Sequence, residues 1–161
     1  MSQISQTGGV LLPILPQIPG DHSLQKFIKH LLRSDTASIG AKKLLESASP
    51  SRMRSDGNSK RLVAVEGSAI GKDPFTEKVR RFASENGWLQ PSIEDALRVL
   101  SVMSFQGLPQ TVRWVAVMHE PVRGEVLGFT DTGRSGIILT SHKAEPREGW
   151  FCRNGGFVFR S

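Results

Sequence analysis

Near Val112 the spacing of apolar residues changes from a helical to a strand period, which limits the fold strongly. Before this point, apolar residues recur every three or four positions, as they do on one side of a helix. After it come short β-type runs, such as "VRWVAVM" and "GFVFRS", separated by turns that contain Gly or Pro. Helices followed by strands are typical of the α+β class. We therefore predict an α+β fold with N-terminal helices followed by a strand, two helices and a C-terminal antiparallel β-meander.

Four helices and one early strand are predicted before the change of period. The strand is "RLVAVEG", residues 61–67. Apolar spacing and capping residues predict helices over Asp21–Arg33, over Ile39–Ser47, from Asp73-Pro74 to Asn86-Gly87, and after Pro91, where Ser92-x-x-Asp95 matches a capping pattern.

Composition divides the chain into four parts. We predict an extended apolar arm with several prolines at 1–20, a basic helical region at 21–46, a flexible linker or loop at 47–60, and an α+β domain with an antiparallel sheet at 61–161. The arm contains too many apolar residues for a fully solvated tail. We expect it to dock on the domain or on a partner through Leu11, Leu12, Ile14 and Leu15.

Signals for export and membrane insertion are missing from the sequence pattern. The N-terminus has no basic region before its apolar patch, which prolines interrupt, so we predict no signal peptide. No apolar stretch approaches the roughly 20 residues that cross a bilayer. The single cysteine, Cys152, excludes an intramolecular disulfide and fits a reducing compartment. We expect an intracellular protein of the cytoplasm or nucleus.

The stretch "GSAIGK", residues 67–72, is close to a phosphate-binding loop but departs from it twice. The pattern G-x-x-x-x-G-K-[ST] aims backbone N–H groups at phosphates and places a hydroxyl on Mg²⁺. Here one residue is missing between Gly67 and Gly71, and Asp73 replaces the hydroxyl with a carboxylate. We predict no nucleotide cofactor, but Gly71 and Lys72 with the start of the next helix form a candidate site for a single anion.

A second pattern, Gly133-x-Ser135-Gly136, resembles the nucleophile turn of chymotrypsin-like proteases. His119 and Asp131 precede it in the order of that family's triad. The triad spans two β-barrels in that fold, whereas these residues fall in two adjacent hairpin turns. We therefore predict no catalytic residue and a non-enzymatic protein.

Metal-binding signals are equally weak. The four histidines and Cys152 lack the close paired spacing of metal ligands, so no metal site is predicted. We expect His142, at a strand end, to be a surface residue.

The net charge of +6 is concentrated in one segment. Residues 22–61 contain nine lysines and arginines against three acidic residues, and the other segments sum to zero. Such clusters attract phosphates through charge neutralisation and counterion release, without base contacts. The residues predicted to bind nucleic-acid phosphates are Lys26, Lys29, Arg33, Lys42, Lys43, Arg52, Arg54, Lys60 and Arg61.

The sequence thus predicts a non-enzymatic, basic structural protein that binds RNA or DNA and self-associates. Aromatic residues, among them Trp88, Trp114 and Trp150, could add stacking on single-stranded bases. The alternative is an assembly or matrix-like protein that acts at an anionic membrane surface, or on a protein partner through its arm. A nucleocapsid or matrix component is an analogy from architecture alone. A solvated basic surface without a partner is an equally simple interpretation.

Overall fold

The structure, a computed structural model, describes residues 9–11, 20–48, 62–102, 112–133, 136–150 and 154–161. In these ranges the chain forms four helices, α1 (Gly20–Leu32), α2 (Ile39–Ser47), α3 (Thr76–Glu85) and α4 (Ile93–Val102). It also forms six strands, β1 (Gly9–Leu11), β2 (Leu62–Glu66), β3 (Trp114–Val117), β4 (Glu125–Asp131), β5 (Ile137–Lys143) and β6 (Gly155–Arg160). The order of these elements confirms the predicted α+β class.

The six strands form one mixed sheet in the order β1-β2-β6-β3-β4-β5. Strands β3, β4 and β5 make the predicted antiparallel meander. The C-terminal strands are not purely a meander, however, because β6 returns across the sheet. It lies between β2 and β3, antiparallel to β2 and parallel to β3. All six residues of β6 are buried, and a strand that is buried on both faces gains most from a central position.

Two segments of the sequence prediction are only partly described. The arm contributes Gly9–Leu11, which pair with β2 as an edge strand, so this segment docks on the sheet of its own chain. The described ranges do not include Leu12, Ile14 and Leu15, or residues 49–60 of the linker predicted at 47–60. Of the run "GWFCRN", Gly149 forms an isolated bridge with Phe75, and residues 151–153 are not described.

The core has two halves, one on each face of the sheet. Helices α1, α2 and α4 pack against one face, where Leu44, Leu97 and Phe129 are among the buried residues. Helix α3 packs against the other face with Val79, beside Phe157 and Trp150. The basic helical region therefore shares a core with the sheet.

Helix α2 is fixed to the edge strand β5. Ser38 caps the helix, since its Oγ accepts a hydrogen bond from the Ala41 N–H at 3.1 Å. The backbone N–H of Ser38 donates to Leu139 O, and the N–H of Leu139 donates to Thr36 O, each at 2.8 Å. These bonds cover the middle of an edge that would otherwise be open to pairing.

Helix α4 begins with the predicted capping box. The Ser92 N–H donates to the Asp95 carboxylate at 2.9 Å, and the Asp95 N–H donates to Ser92 Oγ at 3.1 Å. The same carboxylate forms ion pairs with Arg98 and with Arg160 of β6, all three side chains being buried. Asp95 thus joins the helix to the central strand.

Candidate nucleic-acid interface

The five described basic residues of the helical region lie on α1, on the turn that follows it and on α2, and both helices cover the same face of the sheet. Lys26, Lys29 and Arg33 are spaced by three and four residues, so they share one side of α1 and the turn after it. These three and Lys43 are exposed, and Lys42 is half-buried. We call these five side chains the basic face.

The cations of the basic face form no ion pair with any carboxylate that the structure describes. No carboxylate in the described part of the chain lies within 4.0 Å of any of the five. Such cations are free to exchange their counterions for phosphates, which releases the counterions to solution. Arg52, Arg54, Lys60 and Arg61 lie outside the described ranges, so their part in binding stays a prediction.

The loop that contains Gly71 and Lys72 does not form a phosphate-binding turn. Gly67–Ala69 make a short 3₁₀ helix, and the N–H groups of Ile70 and Gly71 both donate to Gly67 O, at 3.0 and 3.3 Å. These amides therefore point back into the loop, whereas a phosphate loop aims them at its ligand.

The first amides of α3, the other half of the candidate anion site, also have partners. The Thr76 N–H donates to Glu148 O and the Glu77 N–H donates to Pro146 O, each at 3.0 Å. Protein carbonyls thus occupy the positions that an anion would take at a helix N-terminus. What is left at this place is the exposed ammonium group of Lys72.

The histidine of the protease-like pattern has a structural role. His119 is buried, and its Nε2 accepts a hydrogen bond from the Leu127 N–H at 2.8 Å. Nδ1 therefore carries the proton and donates to Glu120 O at 2.7 Å. Burial lowers the pKa of His119 to about 4. A neutral ring with both nitrogens engaged by the backbone is not available as a base.

The acidic residue of the same pattern is engaged elsewhere. Asp131, at the far end of β4, accepts hydrogen bonds from Arg113 at 3.2 Å and from the Gly133 N–H at 2.9 Å. Ser135 lies outside the described ranges. The described residues of this pattern thus stabilise two different turns.

Three aromatic rings pack together on the face of the sheet that carries α3. The centroid of the Trp114 indole lies 5.5 Å from that of His142 and 5.9 Å from that of Trp150, with interplanar angles of 29° and 21°. The ring of Phe157 lies edge-on to both tryptophans. Trp150 is held in place because its Nε1–H donates to Thr76 Oγ1 at 2.7 Å.

Two glycines within strands make room for these rings. A Cβ atom on Gly155 would overlap the indole of Trp114. A Cβ atom on Gly128 would lie 2.5 Å from the carbonyl oxygen of Val115 and 2.7 Å from both Cδ2 and Nε2 of His142. The two rings therefore rest directly on the backbone of the sheet, a close approach that only glycine permits.

The outer part of this cluster is partly open to solvent. Trp114, Thr130 and Ile138 are cross-strand neighbours in one row over β3, β4 and β5, and Thr140 and His142 follow on β5. All five side chains are half-buried. We call them the aromatic shelf. It lies on a sheet whose central strands are covered on both faces.

The aromatic shelf presents neutral polar groups at its surface. Three polar groups of the shelf have no hydrogen-bond partner among the described residues: Trp114 Nε1–H, His142 Nδ1 and the Thr130 hydroxyl. None of these atoms is fully buried. His142 Nε2 lies 3.1 Å from Thr140 Oγ1. Burial lowers the pKa of His142 to about 4, so the imidazole is neutral at pH 7. The expectation that His142 is a plain surface residue is therefore not met.

The two surfaces lie on opposite faces of the sheet, and α2, which carries Lys42 and Lys43, lies at the same end of the strand order as the shelf. Helix α2 packs on β4 and β5 from one face, and the shelf lies on β3, β4 and β5 on the other face. Sequence reasoning identified Trp114 as a stacking candidate but missed the rest of the shelf, because strand register cannot be read from composition. Gly128 and Gly155, within strands, were the available signal.

Other classes of site find little support in the described residues. No group of three or more His, Cys, Asp or Glu side chains there is arranged to hold a metal ion. No helix in the described ranges combines the length and apolar character that crossing a membrane requires. Comparison of the chain with protein-family models, curated proteins and solved structures found no match. The functional interpretation therefore depends on the two surfaces.

Proposed function

We propose that this protein binds nucleic acid without sequence preference, through phosphate contacts made by the basic face. The observation that carries the proposal is the set of five cations on adjacent helices, none of them paired with a described carboxylate. Contacts to phosphate fix the position of a nucleic acid but carry no sequence information. The role is that of a binding protein and includes no chemical step.

The expected salt dependence follows from the number of contacts. Each phosphate contact on a single strand contributes about −0.7 to the slope of log K against log salt, so five contacts give about −3.5. Between about 50 and 200 mM salt, affinity should therefore fall by about 100-fold. A slope near zero would contradict the proposal.

A charge-neutralising variant and a matched control test the location of the site. The variant Lys26→Gln/Lys29→Gln/Arg33→Gln removes three cations of the basic face. The control Lys78→Gln/Arg81→Gln/Arg147→Gln removes three exposed cations on or beside α3, on the other face of the sheet. Fluorescence anisotropy with a labelled single-stranded oligonucleotide should show a slope smaller by about 2 in the first variant only. An equal loss in both variants would mean that net charge, and not this face, attracts the ligand.

The membrane-surface alternative remains a prediction with its own test. It depends on the same charge and on Leu12, Ile14 and Leu15, which lie outside the described ranges. Flotation with anionic but not neutral vesicles, unaffected by competing oligonucleotide, would favour it over nucleic-acid binding. Self-association likewise stays a prediction, to be measured by sedimentation of the full chain.

A further inference from the structure

The aromatic shelf differs from a solvated strand surface in its chemistry. The rings of Trp114 and His142 lie against bare backbone at Gly155 and Gly128, and both residues are half-buried. At pH 7 neither ring is charged, since burial keeps the imidazole neutral. Thr130 adds a hydroxyl beside Trp114. A flat, uncharged surface with a few hydrogen-bonding groups suits a planar heterocycle better than it suits a phosphate or a metal ion.

We propose that the aromatic shelf stacks an unpaired base, so that the nucleic acid held by the basic face is single-stranded. This inference rests on the proposed function and names the class of nucleic acid. In a duplex the faces of the bases are covered by their neighbours, whereas an unpaired base can lay one face on an aromatic side chain. Stacking tolerates any base, because every base has a π-face.

The position of the shelf allows one nucleic-acid strand to contact both the shelf and the basic face. Helix α2, which carries Lys42 and Lys43 of the basic face, packs on β4 and β5 from one face of the sheet, and the shelf lies on the other face. A flexible single strand can bend around this edge, with phosphates on one side and a base on the other. A duplex of the same charge is too stiff to follow so tight a path. Duplex binding therefore uses the basic face alone.

Variants of Trp114 measure the contribution of the ring. Trp114→Ala should weaken binding of a labelled single-stranded oligonucleotide by about 10-fold, the range expected for one stacked base, and Trp114→Phe should weaken it less. Affinity for a duplex of equal length should change by less than about twofold. The slope of log K against log salt should stay the same for both ligands, because the phosphate contacts are unchanged. If single-strand and duplex affinity fall together, the ring supports the fold only and the inference is overturned.

A second variant keeps the test decisive if loss of Trp114 unfolds the protein. Thr130→Gln places a longer neutral side chain in the row between Trp114 and Ile138. It should lower single-strand affinity by about fivefold or more and leave duplex affinity unchanged. Thr130→Glu should lower it further, and Gln90→Glu, an exposed control with the same added charge, should not. Unchanged single-strand affinity in Thr130→Gln would overturn the inference.

The outcomes separate this inference from the proposed function. If the wild-type chain binds neither single strands nor duplexes, the proposed function itself fails. If the basic-face variant loses binding while the variants of Trp114 and Thr130 do not, the phosphate contacts stand and base stacking on the shelf is wrong.

Discussion

Two neutral histidines, the buried His119 and the half-buried His142, should make the folded state sensitive to mild acid. Burial is the main cause that lowers the pKa of His119 and of His142 to about 4, and Arg80 adds to the effect at His119. In the unfolded chain both titrate near 6.5. Between pH 6.5 and about 4 both histidines are protonated in the unfolded state but remain neutral in the native state. The stabilisation is therefore fully present above pH 6.5 and is lost as pH falls from about 6.5 to about 4.

The magnitude follows from the same values. A pKa lowered from 6.5 to about 4 corresponds to about 3.4 kcal/mol of unfolding free energy per histidine once pH falls below both values. At pH 5 the loss relative to pH 7 is about 2 kcal/mol per histidine, or about 4 kcal/mol for the pair. Domains of this size have about 5–15 kcal/mol in total, so the change is a large part of the stability.

Urea unfolding followed by tryptophan fluorescence, at about pH 7 and about pH 5 and fixed ionic strength, measures this loss. His119→Gln and His142→Gln should each remove about half of the pH dependence, and the double variant should remove nearly all of it. A wild-type change below about 1 kcal/mol would refute the reasoning. Full pH dependence in the double variant would show that carboxylates, and not these rings, are responsible.

Three substitutions test packing features of the fold by urea unfolding at neutral pH. Asp95→Ala should lower stability by about 3 kcal/mol, because it breaks the buried ion pairs of α4, including that with Arg160; a loss below about 1 kcal/mol would contradict this. Gly155→Ala should cost about 1–3 kcal/mol and alter near-ultraviolet circular dichroism, since the added methyl displaces Trp114; an unchanged spectrum would mean that the ring does not rest on this backbone. Ser38→Ala should cost about 1 kcal/mol through loss of the cap of α2, and an unchanged free energy of unfolding would argue against that cap.

Features that depend on neighbouring residues could be predicted from the sequence. Helix α2 spans Ile39–Ser47 as predicted, and Ser92 and Asp95 form both hydrogen bonds of the predicted capping box. Helix α3 begins at Thr76, after the predicted start at Asp73-Pro74. Its first amides donate to carbonyls about seventy residues further along the chain, a tertiary contact that local signals do not contain.

The aromatic shelf could not be predicted for a related reason. Its members come from three strands, and cross-strand neighbours such as Trp114 and Thr130 depend on a register that sequence alone does not fix. The central position of β6 could not be predicted either, because its apolar residues would fit a buried strand at any position in the sheet. The common side of Lys26, Lys29 and Arg33, by contrast, follows from residue type and helical spacing alone.

The residue types on the second face of the β4–β5 hairpin are evidence for a binding surface and against a face that contacts only water. Helix α2 covers these strands on one face, and on the other face the residues of the shelf are half-buried. A sheet face that contacts only water should carry polar residues throughout. Thr130 and Thr140 fit this expectation, but Trp114 of the neighbouring strand β3 does not. Gly128 and Gly155 make room for the rings, so the packing of the rings is itself part of the stability of the fold. A half-buried tryptophan on such a face is a more specific feature than a basic surface, which is common on soluble proteins. Base stacking on the shelf is therefore the more discriminating test of function.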